Sequence, residues 1–183
     1  ATMRRLNGKK YRFSAGGTDL LNELRKKPED GLTIVNLAQV RDLHFTGAKK
    51  SAGGLRLGAM FTAQNILSDR QIENTYPVLF LAAKNLASPQ IRQAATLGGN
   101  LCTASPSGDI ACALVALDAV CEIVSAAGKI RRVPVREFFS GPRTTTMRKN
   151  EALRSVFIPA NEKGGKIFSG FIKIGTRRAM ECS

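Results

Sequence analysis

Tryptophan is missing from this 183-residue sequence, and histidine and tyrosine are nearly so, with one and two copies. A single histidine, His44, with no cysteine near it in sequence argues against Ser-His-Asp and Cys-His nucleophilic catalysis. The four cysteines, Cys102, Cys112, Cys121 and Cys182, form no C-x-x-C pair. A metal or iron–sulfur site within this chain is therefore not expected. Thiols buried in helices, in a reducing cytoplasmic compartment, are the expectation instead. Apolar runs stop short of the ~18 residues that a membrane-spanning helix needs. No basic start leads into an apolar stretch, so a secretory leader is not expected either. Acidic residues are scarce, 14 against 28 Lys and Arg, which leaves a formal net charge of +14. That balance suits an anionic ligand, an acidic partner or nucleic acid, and it equally suits a solvated basic surface. With no catalytic base and no metal cluster in prospect, any chemistry is expected to come from a bound cofactor.

The remaining composition is that of a folded protein, 43% hydrophobic and 23% charged, long enough for one domain or two small lobes. Tyr11 to Ala15 alternates like a short strand, Gly16-Gly17 breaks it, and Asp19 to Lys26 has a helical apolar face capped by Thr18. Leu32 to Leu37 has the β-branched content of a buried strand. A hairpin is expected next, with arms at His44-Phe45 and Leu55-Arg56-Leu57 around a basic loop at 47–54. Thr62 should cap one helix and Pro77 open another that reaches Leu86. Residues 87–108, rich in Gly, Ser, Pro, Thr and Asn, read as one long irregular stretch, a feature that is usually functional. Asp109 should cap a helix running to Asp118. A hairpin at Val120–Val124 and Ile130–Val135 and strands at Leu153–Ile158 and Ile167–Ile174 complete an α+β chain. Its expected division is a first lobe at 1–53 and a second at 54–183.

Two glycine pairs stand out. Ser14-Ala15-Gly16-Gly17-Thr18-Asp19 lies between a strand and a helix, where glycines let backbone approach a phosphate and the helix start supplies free N–H groups. Ser51-Ala52-Gly53-Gly54 repeats the tetrapeptide before a strand, so it reads as a hairpin turn and shows that the tetrapeptide alone carries little. The first motif is neither a Walker loop nor a G-x-G-x-x-G fingerprint. Ala95-Thr96-Leu97-Gly98-Gly99-Asn100 places a second pair between Thr and Asn, offering further backbone N–H groups. With Thr103, Ser105, Ser107 and Asp109 it makes a dense polar set. The two loops together suit one pyrophosphate-containing ligand. His44 reads as a half-buried hairpin residue, Cys102, Cys112 and Cys121 as core-facing, and the pairs Arg131-Arg132 and Arg177-Arg178 as solvated.

Three motifs in this order resemble one family. They are Ala15-Gly16-Gly17-Thr18-Asp19-Leu20-Leu21, the long run from Ser88-Pro89-Gln90-Ile91-Arg92 through Thr96-Leu97-Gly98-Gly99-Asn100 to Pro106 with Gly108-Asp109 beyond, and Phe171-Ile172-Lys173-Ile174-Gly175. The chain is similar to the FAD-binding (medium) subunit or domain of the molybdenum hydroxylases, of xanthine dehydrogenase, carbon monoxide dehydrogenase and aldehyde oxidoreductase type. The resemblance implies the two-lobed α+β FAD-binding fold shared with vanillyl-alcohol oxidase. It implies FAD between the lobes, with Ser14, Ala15, Gly16, Gly17, Thr18, Asp19 and Leu20 tracking the pyrophosphate and Leu86 at the adenine. Thr96, Gly98, Gly99, Asn100 and Thr103 fall on the second loop and Asp109 just beyond it. Leu153 falls where an aliphatic side chain packs on the flavin, and Lys173 where a lysine reaches the ring's polar edge. Covalently flavinylated relatives carry histidine where Thr18 stands, so FAD should be non-covalent. The sequence stops where the family continues into a C-terminal domain, so the expectation is a fragment or a split subunit lacking that domain.

The function implied is an electron-transfer flavoprotein in a hetero-oligomeric complex. Electrons would pass from [2Fe–2S] clusters in an iron–sulfur subunit through FAD to NAD or another acceptor, with the molybdenum cofactor in a third subunit. No residue of this chain is expected to be a catalytic acid or base. The alternatives are a basic nucleic-acid-binding module and a non-redox nucleotide-binding module. Aromatic residues make up only 6% and most sit in apolar runs, which disfavours the nucleic-acid reading.

Overall fold

The computed structural model describes residue 6 and residues 8–40, 48–51, 53–160 and 168–174, with the backbone alone at 48–51. His44-Phe45, Arg177-Arg178 and Cys182 lie outside the described residues. Strand β1 (Tyr11–Ser14) is followed by α1 (Leu20–Lys26) and by β2 (Thr33–Asn36), which pairs parallel to β1. Two details differ from the expectation. The residue that precedes α1 is Asp19 rather than Thr18, and no side-chain bond caps the helix. Gly17 instead bends the chain at φ 74°, and its carbonyl accepts from Leu21 N–H at 3.1 Å. The strand expected to be buried, β2, buries only Val35, while Ile34 is 47% exposed.

A second sheet, antiparallel throughout, has its strands in the order 48–51, 54–58, 151–159, 120–125 and 130–134. Its first strands are β3 (Ala48–Ser51) and β4 (Gly54–Gly58), joined through Gly53 at φ 74°. Residues 48–51, expected in a loop, are therefore a hairpin arm, while Gly53 lies in a turn, as expected for the Ser51-Ala52-Gly53-Gly54 tetrapeptide. The boundary expected at residue 53 falls inside this hairpin, and strand pairing places 48–51 with the larger sheet.

Six helices cross from that hairpin to the rest of the sheet: α2 (Ala63–Ser68), α3 (Arg70–Thr75), α4 (Pro77–Asn85), α5 (Pro89–Ala94), α6 (Leu97–Thr103) and α7 (Asp109–Ala116). Thr62 caps α2 in a reciprocal capping box with Asn65, and Pro77 opens α4. The stretch 87–108 is not irregular. It holds α5 and α6, each too short for an apolar period to register, and each set by its cap. Ser88 accepts from Ile91 N–H with Pro89 at the first position, and Thr96 accepts from Gly99 N–H. Gly108, not Asp109, is the cap residue of α7, and Asp109 is its first helical residue.

The chain then makes the expected hairpin, β5 (Val120–Ser125) with β6 (Ile130–Pro134), followed by α8 (Val135–Phe138), β7 (Phe139–Gly141), β8 (Thr144–Thr145) and β9 (Glu151–Pro159). Between β5 and β9 the register shifts. Glu122 faces Ser155 and Ile123 faces Leu153, so Arg154 is an extra residue. The bulge lets Leu153 and Val156, three apart, both join the core, whereas an unbroken strand would turn them to opposite faces. The core is Leu55, Leu57, Ile123, Val156 and Ile158 of the sheet under Ile66, Leu79, Leu97, Leu101, Ile110 and Leu114 of the helices.

On the far side of the sheet, Glu122 is 2% exposed. It accepts from Ser155 Oγ at 2.6 Å and Arg132 Nε at 3.0 Å, and it also pairs with Arg56. Arg131 binds the buried Glu151 through Nε and Nη2, both at 2.8 Å. The Arg131-Arg132 pair is thus no free basic face, because each member neutralises a carboxylate that strand register has buried. Of the described cysteines only Cys121, on a strand, is buried; Cys102 and Cys112 are exposed, and all three are free thiols. Residues 168–174 form no strand. Phe171 packs on the core while Phe168 and Ile172 are 91% and 89% exposed. No described helix is long and apolar enough to cross a membrane.

Candidate functional site

A cleft of 710 Å3 opens between the β1–α1–β2 unit and the helices over the larger sheet. Every residue singled out from the sequence lines it: Ser14 to Leu20 on one side, Leu86, Thr96, Gly98, Gly99, Asn100, Thr103 and Asp109 on the other, with Leu153 and Lys173. The two glycine motifs, far apart in sequence, face one space.

Their contributions differ. The N–H groups of Gly16, Gly17 and Thr18 donate to nothing among the described residues. Successive free amides beside a cleft are a site for anionic oxygens. The second motif was expected to supply amides as well, but these are already engaged. Leu97 N–H donates to Phe61 O at 2.8 Å, Gly98 N–H to Ala59 O at 2.8 Å, Gly99 N–H to Thr96 Oγ1 at 3.0 Å and Asn100 N–H to Thr96 O at 2.9 Å. Gly98 is glycine for packing, since a Cβ there would lie 2.8 Å from Ala59 O. The Thr96 side chain is 4% exposed and serves as a helix cap. Asn100 joins α6 to α7 by accepting from Ala111 N–H at 3.2 Å through Oδ1. Its Nδ2 group has no partner among the described residues and remains for a ligand. The second motif is therefore a closely packed wall with one free amide group.

Polar contacts tie the two sides. Thr103 Oγ1 donates to Asp19 Oδ2 at 3.2 Å. Glu23 on α1 takes Arg12 at 2.6 Å and Arg143, from the β7–β8 turn, at 3.1 Å. The bond from Arg12 to Glu23 raises the arginine's pKa. Lys173 reaches in from the 168–174 segment to Asp109 at 2.7 Å, with side chains 11% and 8% exposed. The cleft lining thus carries three cations, Arg12, Arg143 and Lys173, and three acids, Asp19, Glu23 and Asp109. All three cations are paired, so the chain's positive excess is not concentrated here. Arg12, Glu23 and Arg143 were not singled out from sequence. Glu23 looks like any charge on an exposed helix face, and Arg143 carries no local signal.

Apolar walls complete the cleft at Leu86, Ile91, Met147 and Leu153. Cys102 opens on it, with Sγ 3.7 Å from Met147 Sδ. The volume falls inside the about 300–1,000 Å3 usual for cofactor sites.

The sequence matches a family described as "FAD binding domain in molybdopterin dehydrogenase" over residues 2–161. It is 34% identical over 172 residues to the xanthine dehydrogenase FAD-binding subunit of Escherichia coli O157:H7, covering 92% of this chain and 57% of that protein. The structure resembles quinoline 2-oxidoreductase from Pseudomonas putida 86 with a TM-score of 0.79 at 28% identity, covering 87% of this chain and 55% of that one. It shares its fold with a carbon monoxide dehydrogenase from Hydrogenophaga pseudoflava that lacks the Mo-pyranopterin moiety of its molybdenum cofactor, with a TM-score of 0.85 at 24% identity, covering 100% of this chain and 61% of that one. The chain spans a little over half the length of these relatives. The α+β fold expected from the resemblance is the one observed. With its match running from residue 2 to residue 161, the chain belongs to the family of FAD-binding domains of molybdopterin dehydrogenases.

Proposed function

We propose that this chain binds FAD non-covalently in the 710 Å3 cleft and serves as the electron-transfer flavoprotein of a molybdenum-containing hydroxylase or dehydrogenase. The observation that carries the reading is the pairing of three amides at Gly16, Gly17 and Thr18, unengaged among the described residues, with a cleft that also has apolar walls at Leu86, Ile91, Met147 and Leu153. A dianionic pyrophosphate between hydrophobic rings has that chemistry, so the residues present fit the group. When bound, FAD supplies two-electron and one-electron transfer.

The protein's part is binding and orientation. The amides of residues 16–18 hold the phosphate oxygens and, with Asn100 Nδ2, fix their position. Leu86 and Leu153 exclude water from the flat surfaces of the ligand. The Lys173 ammonium, held by Asp109, would reach the polar edge of the flavin and donate a hydrogen bond there. No side chain of this chain moves a proton to or from the complex's substrate. The chain's partners would be an iron–sulfur subunit with [2Fe–2S] clusters as the electron source and a subunit that carries the molybdenum cofactor, with NAD or another acceptor as the electron sink. The free thiols of Cys102, Cys112 and Cys121 suit a cytoplasmic setting.

The test is titration of the chain with FAD, followed by acid precipitation. Saturable binding with all yellow colour released to the supernatant is expected. Absence of binding sinks the reading, and colour retained in the pellet sinks its non-covalent part.

A further inference from the structure

Arg92, on α5, is committed to one turn of the cleft wall. Its Nη1 donates to the carbonyls of Lys84 at 3.2 Å, Leu86 at 2.9 Å and Ala87 at 3.2 Å. The Lys84 and Leu86 carbonyls belong to the last turn and the cap of α4 and that of Ala87 to the next residue, so a cation there also meets the negative end of the helix. Between them Ala87 stands at φ 39°, a conformation that a residue with a Cβ keeps only when its surroundings impose it. Arg92 Nε is buried and has no hydrogen-bond partner. A guanidinium placed merely for its own solvation would not leave that donor unused. Leu86, Ala87 and Ser88 all line the cleft, and so does Ile91, the neighbour of Arg92. The same short helix ends at Ala94, whose carbonyl is packed against Gly16 of the opposite wall. One side of α5 is therefore clamped to the 84–88 turn and its end to the glycine loop.

We propose that Arg92 is a positioning residue: through its triple contact with the Lys84, Leu86 and Ala87 carbonyls it sets the 86–88 wall and its distance from the Gly16 loop, and so shapes the site for one end of the dinucleotide. The ligand part rests on the FAD reading above. The wall covers only a part of the cleft, so its loss weakens contacts to one half of the ligand and leaves the other half's contacts in place.

The experiment uses Arg92→Met and Arg92→Lys in the full chain with two probes, ADP and FMN, each carrying one half of FAD. Hydrogen exchange without any ligand reads the wall directly. In Arg92→Met the amides of 86–88 should exchange at least tenfold faster while those of β9 and α7 are unchanged. Calorimetry should show at least a tenfold loss of affinity for one probe, with the other within twofold. Arg92→Lys should recover part of both effects, since an ammonium can still donate to these carbonyls. Unchanged exchange at 86–88, or equal loss for both probes, overturns the proposal. A parent chain that binds no FAD overturns the functional reading and the ligand part with it, while the exchange result still decides what Arg92 does to the wall.

Discussion

Gly16 and Ala94 lie so close that a Cβ on the first would overlap the carbonyl oxygen of the second. The contact joins the β1–α1 loop to the end of α5, across one side of the cleft. The absence of a side chain at Gly16 is thus required by the protein's own packing, before any ligand is considered.

Gly16→Ala should therefore lower both stability and FAD binding. Overpacking costs about 1–3 kcal/mol, at about 2–4 °C of melting temperature per kcal/mol for a chain of this size. Gly53→Ala meets open space, and its penalty comes only from φ 74°, roughly 1 kcal/mol. Thermal unfolding without ligand should rank Gly16→Ala as the less stable, and FAD titration should leave Gly53→Ala at parental affinity. A Gly16→Ala chain as stable as the parent would contradict the contact.

Glu151 should make stability depend on pH in acid. Two bonds from Arg131 and the Arg148 N–H at 2.8 Å hold its carboxyl at about 2, below its ordinary value of 4.5. A depressed folded-state pKa means that the unfolded chain takes up the proton first. The contribution is therefore fully present above pH about 4.5 and is lost as pH falls toward 2. Urea midpoints between pH 6 and 2 should fall less steeply in Glu151→Gln than in the parent, and at pH 7 the variant should be less stable by about 1–3 kcal/mol. Parallel curves for the two proteins would show that Glu151 is not the group responsible.

Asn100→Ala should weaken the protein as well as the site. It removes the acceptor of Ala111 N–H, which costs about 1–3 kcal/mol when the donor is left unsatisfied. Asn100→Asp keeps that acceptor and loses only the Nδ2 donors, so it should melt near the parent yet bind FAD more weakly. If both variants melt alike, the α6–α7 bridge contributes nothing measurable.

The Lys173–Asp109 pair should anchor the 168–174 segment. Asp109→Asn removes the charge that Lys173 meets at 2.7 Å, leaving Phe171 as the other described hold on the core. Limited chymotrypsin digestion should cut at Phe168 and Phe171 several-fold faster in Asp109→Asn, with cutting elsewhere unchanged. Equal rates would show that the ion pair holds nothing.

Much of the architecture was legible because it rests on local chemistry. Gly-Gly between alternating residues and a leucine face foretold β1–turn–α1. Thr62 and Pro77 marked α2 and α4, and the runs Val120–Val124 and Ile130–Val135 marked the β5–β6 hairpin, all of which the structure contains. Both glycine motifs were located as well, and they do face one cleft. Helices α5 and α6 were not legible, since two turns carry no measurable period and Gly98-Gly99 argues against a helix. The approach of Ala59 explains glycine at 98, and that of the Thr96 hydroxyl at 99.

Residue type and spacing by themselves thus determined the strand–glycine–helix start, the hairpins, and which polar and glycine-rich segments stand out from the rest. Tertiary structure decided what each does. It left the amides of Gly16, Gly17 and Thr18 without partners among the described residues while engaging those of Leu97 and Gly98, because Phe61 O and Ala59 O are brought in by packing and not by sequence neighbours. It gave Arg131 and Arg132 buried carboxylates to neutralise through strand register. It turned Leu153 inward through a bulge at Arg154, which depends on the pairing of β5 with β9. Those pairings join residues far apart in the chain, and no local pattern encodes them.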